Sequence, residues 1–161
     1  MRHILSVTVE NEPGVLSRVA GLFSGRGFNI ESLNVGPTLD PGVSVMTITT
    51  EGDQQIIEQI VKQLRKLITV IKVVDLTEMK SVLREMVLMK VNACDANRAE
   101  ILRTVDIFRC KVVDVSIDEI TVEATGNYEK ISAIVGLLTR FGIKEISRSG
   151  MVAMKRSVQN I

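Results

Sequence analysis

Tryptophan is absent from this 161-residue chain and tyrosine appears once, at Tyr128, so aromatic rings make up only 3% of it. Apolar burial has to come from Ile, Val, Leu and Met, and a β-branched-rich core of that kind favours sheet. Histidine also appears once, as His3. Nucleophilic catalysis needs a Ser or Cys beside a base that a third group orients, and one histidine near the chain start is a poor candidate for that base. The two cysteines, Cys94 and Cys110, match no metal-ligand spacing. No charge excess of one sign exists either: twenty basic against nineteen acidic residues leave +1, too balanced for a general binder of nucleic acid or anionic membrane. No apolar run approaches the roughly 18 residues needed to span a bilayer, and no export signal precedes the first strand pattern. These absences lead us to expect a reduced, cytoplasmic protein with no metal site, no nucleic-acid partner and no membrane.

What is present suffices for a folded protein, since 45% of residues are hydrophobic and 24% charged. The length fits two small units of about 75 residues each, near the lower limit for independent stability. Ile4 to Glu10 (ILSVTVE) reads as a strand, and NEPG then turns the chain into a helix with apolar positions at Val15, Leu16, Val19, Ala20, Leu22 and Phe23, closed by Gly25 and Gly27. Phe28 to Val35 and Val43 to Thr50 read as a hairpin around GPTLDPG. Ile57, Ile60, Val61, Leu64 and Leu67 recur at helical spacing, and Val70 to Leu76 resumes strand. After the polar stretch Thr77 to Ser81 the order repeats, with strand Arg84 to Ala93, helix Glu100 to Phe108, hairpin Lys111 to Ser116 and Glu119 to Thr125, helix Tyr128 to Phe141 and strand Ile143 to Arg148.

The class is therefore α+β, with two consecutive ferredoxin-like βαββαβ domains spanning residues 1–77 and 82–161. Each closes into one antiparallel sheet with both helices on one face. The helix-free face or a sheet edge then needs cover, and an identical unit is the economical choice, which predicts a homodimer at least. Met151 to Ile161 reads as a less structured basic tail.

Chemistry is sparse. GLFSGRG superficially resembles a phosphate loop, but the Lys-Ser/Thr ending is missing and Gly21 falls inside the helix. One constellation stands out, NEPGVLSR (Asn11 to Arg18) together with FNIESLNV (Phe28 to Val35). A strand that ends in Asn-Glu-Pro-Gly and opens a helix presents unpaired N–H groups and a positive dipole end, suited to the carboxylate of a small ligand, and Gly14 keeps the approach clear. Asn11 either offers its amide to that ligand or caps the helix. Asn29 offers both carbonyl and NH₂ to an amino acid's charged groups, or is simply a turn residue.

These stretches, with the βαββαβ order, resemble an ACT domain. Continued by REMVLMKV (Arg84 to Val91), FRCKVVDV (Phe108 to Val115) and EISRSG (Glu145 to Gly150), the chain is similar along nearly its whole length to the acetohydroxyacid (acetolactate) synthase small-subunit family. Cys110 stands where that family usually has a small residue, and the tail MVAMKRSV departs from its usual ending. The resemblance implies a non-catalytic regulatory subunit that binds and activates a catalytic large subunit and confers feedback inhibition by valine in branched-chain amino-acid biosynthesis. It places thiamine diphosphate, Mg²⁺ and FAD on that partner and none in this chain. It also implies a homodimer through the ACT domain, with valine held by Asn11, Gly14, Val15 and Leu16 of one chain and Asn29 and Ile30 of the other. The second domain is expected to contact the partner. The alternative is a free-standing ACT-domain amino-acid sensor acting on another enzyme or a transcription regulator.

Overall fold

The computed structural model describes residues 1–157. Along them run β1 (Arg2–Glu10), α1 (Val15–Ser24), β2 (Ile30–Pro37), β3 (Val43–Glu51), α2 (Gln54–Arg65) and β4 (Val70–Asp75). There follow β5 (Ser81–Asn92), α3 (Arg98–Ile107), β6 (Lys111–Val115), β7 (Glu119–Gly126), α4 (Tyr128–Thr139), β8 (Ile143–Arg148) and β9 (Val152–Lys155). The βαββαβ order appears twice, as expected. The first sheet is ordered β2-β3-β1-β4 and the second β6-β7-β5-β8, and within these sets every pairing is antiparallel. By packing, Met1–Val82 joins the segment from Met151 onward in one unit, and Leu83–Gly150 forms the other.

Two periodicities build each core. Along β1 every second residue, Leu5, Val7 and Val9, points inward, while α1 turns Val15, Val19, Leu22 and Phe23 and α2 turns Ile57, Ile60 and Leu64 onto the same layer. In the second unit Val87, Met89 and Val91 meet Ile101 and Val105 from α3 and Ile131, Ile134 and Leu138 from α4. Asp53 caps α2 by accepting from the Ile56 amide at 2.8 Å, and Asn127 caps α4 by accepting from Lys130 at 3.0 Å. Asp53→Ala or Asn127→Ala is expected to cost about 1 kcal/mol, read as a lower urea midpoint at unchanged slope.

Several boundaries differ from the sequence reading by up to three residues. The helical pattern continues to Leu67, but α2 ends at Arg65 because the amides of Lys66 and Leu67 turn to Gln63 and Leu64, tightening the last turn. β2 starts at Ile30, not Phe28, and β5 starts at Ser81, ahead of Arg84.

The expected loose tail is also corrected. Residues 152–155 form β9, which pairs with β5, and the Arg156 amide donates to Lys80 O at 2.9 Å; residues 158–161 of that tail lie outside the described residues. Met151 and Ala153 are buried, and β9 packs against β1. Thr47 and Thr49, which pair with Ser6 and Ile4 on the face turned away from α1 and α2, are only 3% and 5% exposed. β2 and β4 are the outer strands of the first sheet.

Candidate functional site

The six residues singled out in the sequence fall into two groups. The first is built where β1 ends. The Asn11 amide donates to Gly42 O at 2.8 Å and its side-chain Nδ2 donates to Pro41 O at 2.9 Å, which ties the approach of α1 to the loop between β2 and β3. Asn11 therefore does not cap α1. The N-cap is Gly14, left-handed at φ 86°, with no side-chain hydrogen bond to the first turn and no acidic residue within it. A Cβ built on Gly14 would meet nothing within 4 Å. The opening amides of α1 thus face an open, electrostatically positive approach. Val15 is buried in the core while Leu16 is 46% exposed, so one anchors the turn and the other offers an apolar contact.

The second group lies at the other end of the same sheet. Asn29 is exposed, and its carbonyl accepts from Thr50 Oγ1 at 2.6 Å. Ile30, half-buried, is paired with Thr50, and Thr50 is paired with His3 at the start of β1, whereas Glu10 at its far end is paired with Val43. The seven steps of strand from His3 to Glu10 amount to about 23 Å. Within one chain Asn29 and Ile30 do not meet Asn11, Gly14, Val15 and Leu16.

Thr50 is a residue the sequence reading passed over. It sits among the apolar alternation of β3 as one threonine of several, and only the pairing register puts its hydroxyl on the Asn29 carbonyl. The second unit, given no site residues from sequence, carries an open groove of about 300 Å³ on its helix-free face, lined by Leu88, Lys90, Asp114, Thr121, Glu145 and Ser147. Glu145 hydrogen-bonds Lys90 there at 3.1 Å and raises the ammonium above the usual lysine range.

Among the described residues no group of three or more His, Cys, Asp and Glu is placed to hold a metal, and no helix is long and apolar enough to cross a membrane. Both cysteines are free thiols, Cys94 exposed and Cys110 half-buried. Burial pushes the Cys110 thiol up, only partly offset by Lys130, so less of it is thiolate at neutral pH. With an aromatic disulfide reagent at pH 7.5, one thiol should react quickly and the other at least tenfold more slowly, and Cys94→Ser should remove the fast phase.

Fold and site together define an α+β protein of two ferredoxin-like units, the first with the glycine-opened helix of an ACT domain. Residues 5–72 match the family described as the AHAS small subunit-like ACT domain, and residues 84–157 match that described as the small subunit of acetolactate synthase. The chain belongs to the acetolactate synthase small-subunit family. It is 53% identical over 156 residues to a probable acetolactate synthase small subunit of Archaeoglobus fulgidus, covering 97% of this chain and 98% of that one. It is 51% identical over 162 residues to the acetolactate synthase small subunit of Haemophilus influenzae, covering 100% and 99%. The crystal structure of the small subunit from Thermotoga maritima superposes with a TM-score of 0.87 at 44% identity, covering 98% of this chain and 99% of that one.

Proposed function

We propose that this chain is the regulatory subunit of acetolactate synthase: it docks on the catalytic large subunit, raises its activity, and makes it inhibitable by valine in the synthesis of branched-chain amino acids. Thiamine diphosphate, Mg²⁺ and FAD belong to that partner, and the chain works beside it in the cytoplasm. The carrying observation is the division of the six residues between two ends of one sheet. A second copy related by a twofold axis, pairing antiparallel along the outer strand β2, supplies Asn29 and Ile30 to the side where Asn11 is tied to the β2–β3 loop. Valine then lies with its carboxylate at the α1 amides, its ammonium by the partner copy's Asn29, and its side chain between Leu16 and Ile30. A ligand bridging two copies favours one dimer geometry over others, and about 1–3 kcal/mol of such preference supports a 5–150-fold effect on the partner.

Calorimetric titration with L-valine, D-valine and L-lysine, followed by reconstitution with the catalytic subunit, tests this reading. L-valine alone should bind, Asn29→Ala should bind at least tenfold more weakly, and the reconstituted synthase should be faster than the catalytic subunit and slowed by valine. A chain that neither binds a branched-chain amino acid nor alters the synthase would overturn it.

A further inference from the structure

Two sets of polar contacts lie side by side at the Asn29 end of the first unit, where Thr50 and His3 face each other across the β1–β3 pair. Thr50, fully buried, donates its hydroxyl to Asn29 O at 2.6 Å. Directly across the β1–β3 pair stands His3, 1% exposed, whose Nε2 lies 3.2 Å from the Gly52 carbonyl, a contact whose direction the ring's tautomer sets. Its Nδ1 lies 3.3 Å from Thr77 Oγ1. That hydroxyl donates to Asp75 Oδ1 and accepts from the Ile4 amide at 3.2 Å, and the Thr77 amide donates to the same carboxylate oxygen at 2.9 Å. The Leu76 amide meanwhile donates to Ile4 O at 2.8 Å. Thr77 lies in the short connector that leads from β4 into β5.

Buried or half-buried polar side chains are costly to place unless satisfied, and each of these four has a named partner, whereas the buried hydroxyls of Thr49 and Thr69 have none among the described residues. None of the four is part of the six-residue site. We propose that Thr50 is a positioning residue for that site, and that His3, Thr77 and Asp75 latch the same end of the sheet to the connector, so that ordering Asn29 by a ligand also orders the chain entering β5. This rests on the sensor reading above and extends it: the hydroxyl of Thr50 sets where Asn29 stands, and the latch passes its position on. Local polar networks in a low-dielectric setting have few alternative arrangements, which makes such a cluster a stiff connection.

The experiment uses the full chain, alone for calorimetry with L-valine and reconstituted with the catalytic subunit for inhibition. Thr50→Val, which keeps the shape and removes the hydroxyl, should bind L-valine about tenfold more weakly, and Thr50→Ser, which keeps the hydroxyl, should bind within about twofold of the parent. Thr77→Val should bind L-valine within about twofold of the parent but need at least fivefold more valine to inhibit the synthase, a split that a general loss of stability does not produce. Thr50→Ala carries the first arm should Thr50→Val fail to fold. Parent-like binding by folded Thr50→Val or Thr50→Ala, or full inhibition through Thr77→Val, overturns the proposal while leaving the sensor reading intact. No stereospecific binding by the parent chain sinks both.

Discussion

A Gly14→Asp chain will fold and still bind the catalytic subunit, but valine will no longer inhibit the complex. The backbone at Gly14 is left-handed, and a non-glycine residue there costs about 1–2 kcal/mol, with Asp among the more tolerant types. No clash adds to this, because a Cβ meets nothing within 4 Å. The melting temperature should therefore fall by only several degrees. Two like charges about 4 Å apart repel by about 4 kcal/mol near a protein surface, so a carboxylate beside the ligand's own should cost up to roughly a thousandfold in affinity. Gly14→Asn has the same shape and similar strain without the charge, and should lose far less. Equal loss in both variants would show that backbone strain, not charge, governs the site; retained inhibition in Gly14→Asp would remove the α1 opening from the site altogether. Because the two halves of each site come from different copies in the proposed dimer, a mixture of Gly14→Asp and Asn29→Ala chains should regain one intact site per mixed dimer, and with it part of the response.

Phe23→Ala is expected to be the most damaging single change in the first unit. Phe23 is 1% exposed and the only aromatic among that core's fully buried residues. Its removal forfeits the transfer energy of a ring and leaves a cavity, together about 3–5 kcal/mol. For a unit of this size that corresponds to a drop of at least about 12 °C in melting temperature. Its carbonyl accepts from the amides of Arg26 at 3.2 Å and Phe28 at 2.9 Å, bonds that alanine keeps, but without the buried ring the turn that delivers Asn29 loses its anchor in the core, so any surviving folded protein should bind valine more weakly. Ile68→Ala, at a side chain 96% exposed, should shift stability by less than about 0.5 kcal/mol. A small effect of Phe23→Ala would mean that α1 contributes little to the packing of this unit.

The order of elements was legible because strand alternation at Leu5, Val7 and Val9 and helical spacing at Ile57, Ile60 and Leu64 each mark one buried face. β9 was not. Its buried Ala153 and the buried Met151 just before it alternate with Val152 and Met154, which are exposed but equally apolar, so hydropathy shows no period, and a strand of four residues gives little length to read. The two groups of candidate residues stand out in the sequence as types suited to a carboxylate and an ammonium. The role of Asn11 within its half was decided by a hydrogen bond to Pro41, thirty positions away in sequence, which no local rule contains. Thr50 was hidden for the same reason, since its partner is fixed by strand register and not by spacing.

The return of β9 to the first unit changes how the protein is made. The segment that returns to pack on β1 is made only after the whole of the second unit, so an emerging chain carries an unfinished first unit throughout the synthesis of the second. The two halves cannot mature one after the other like beads on a string, and the long wait for a distant contact slows completion of the earlier one. A stop codon or a protease cut just past Gly150 would accordingly show its damage near the start of the chain, in the very unit that was translated first.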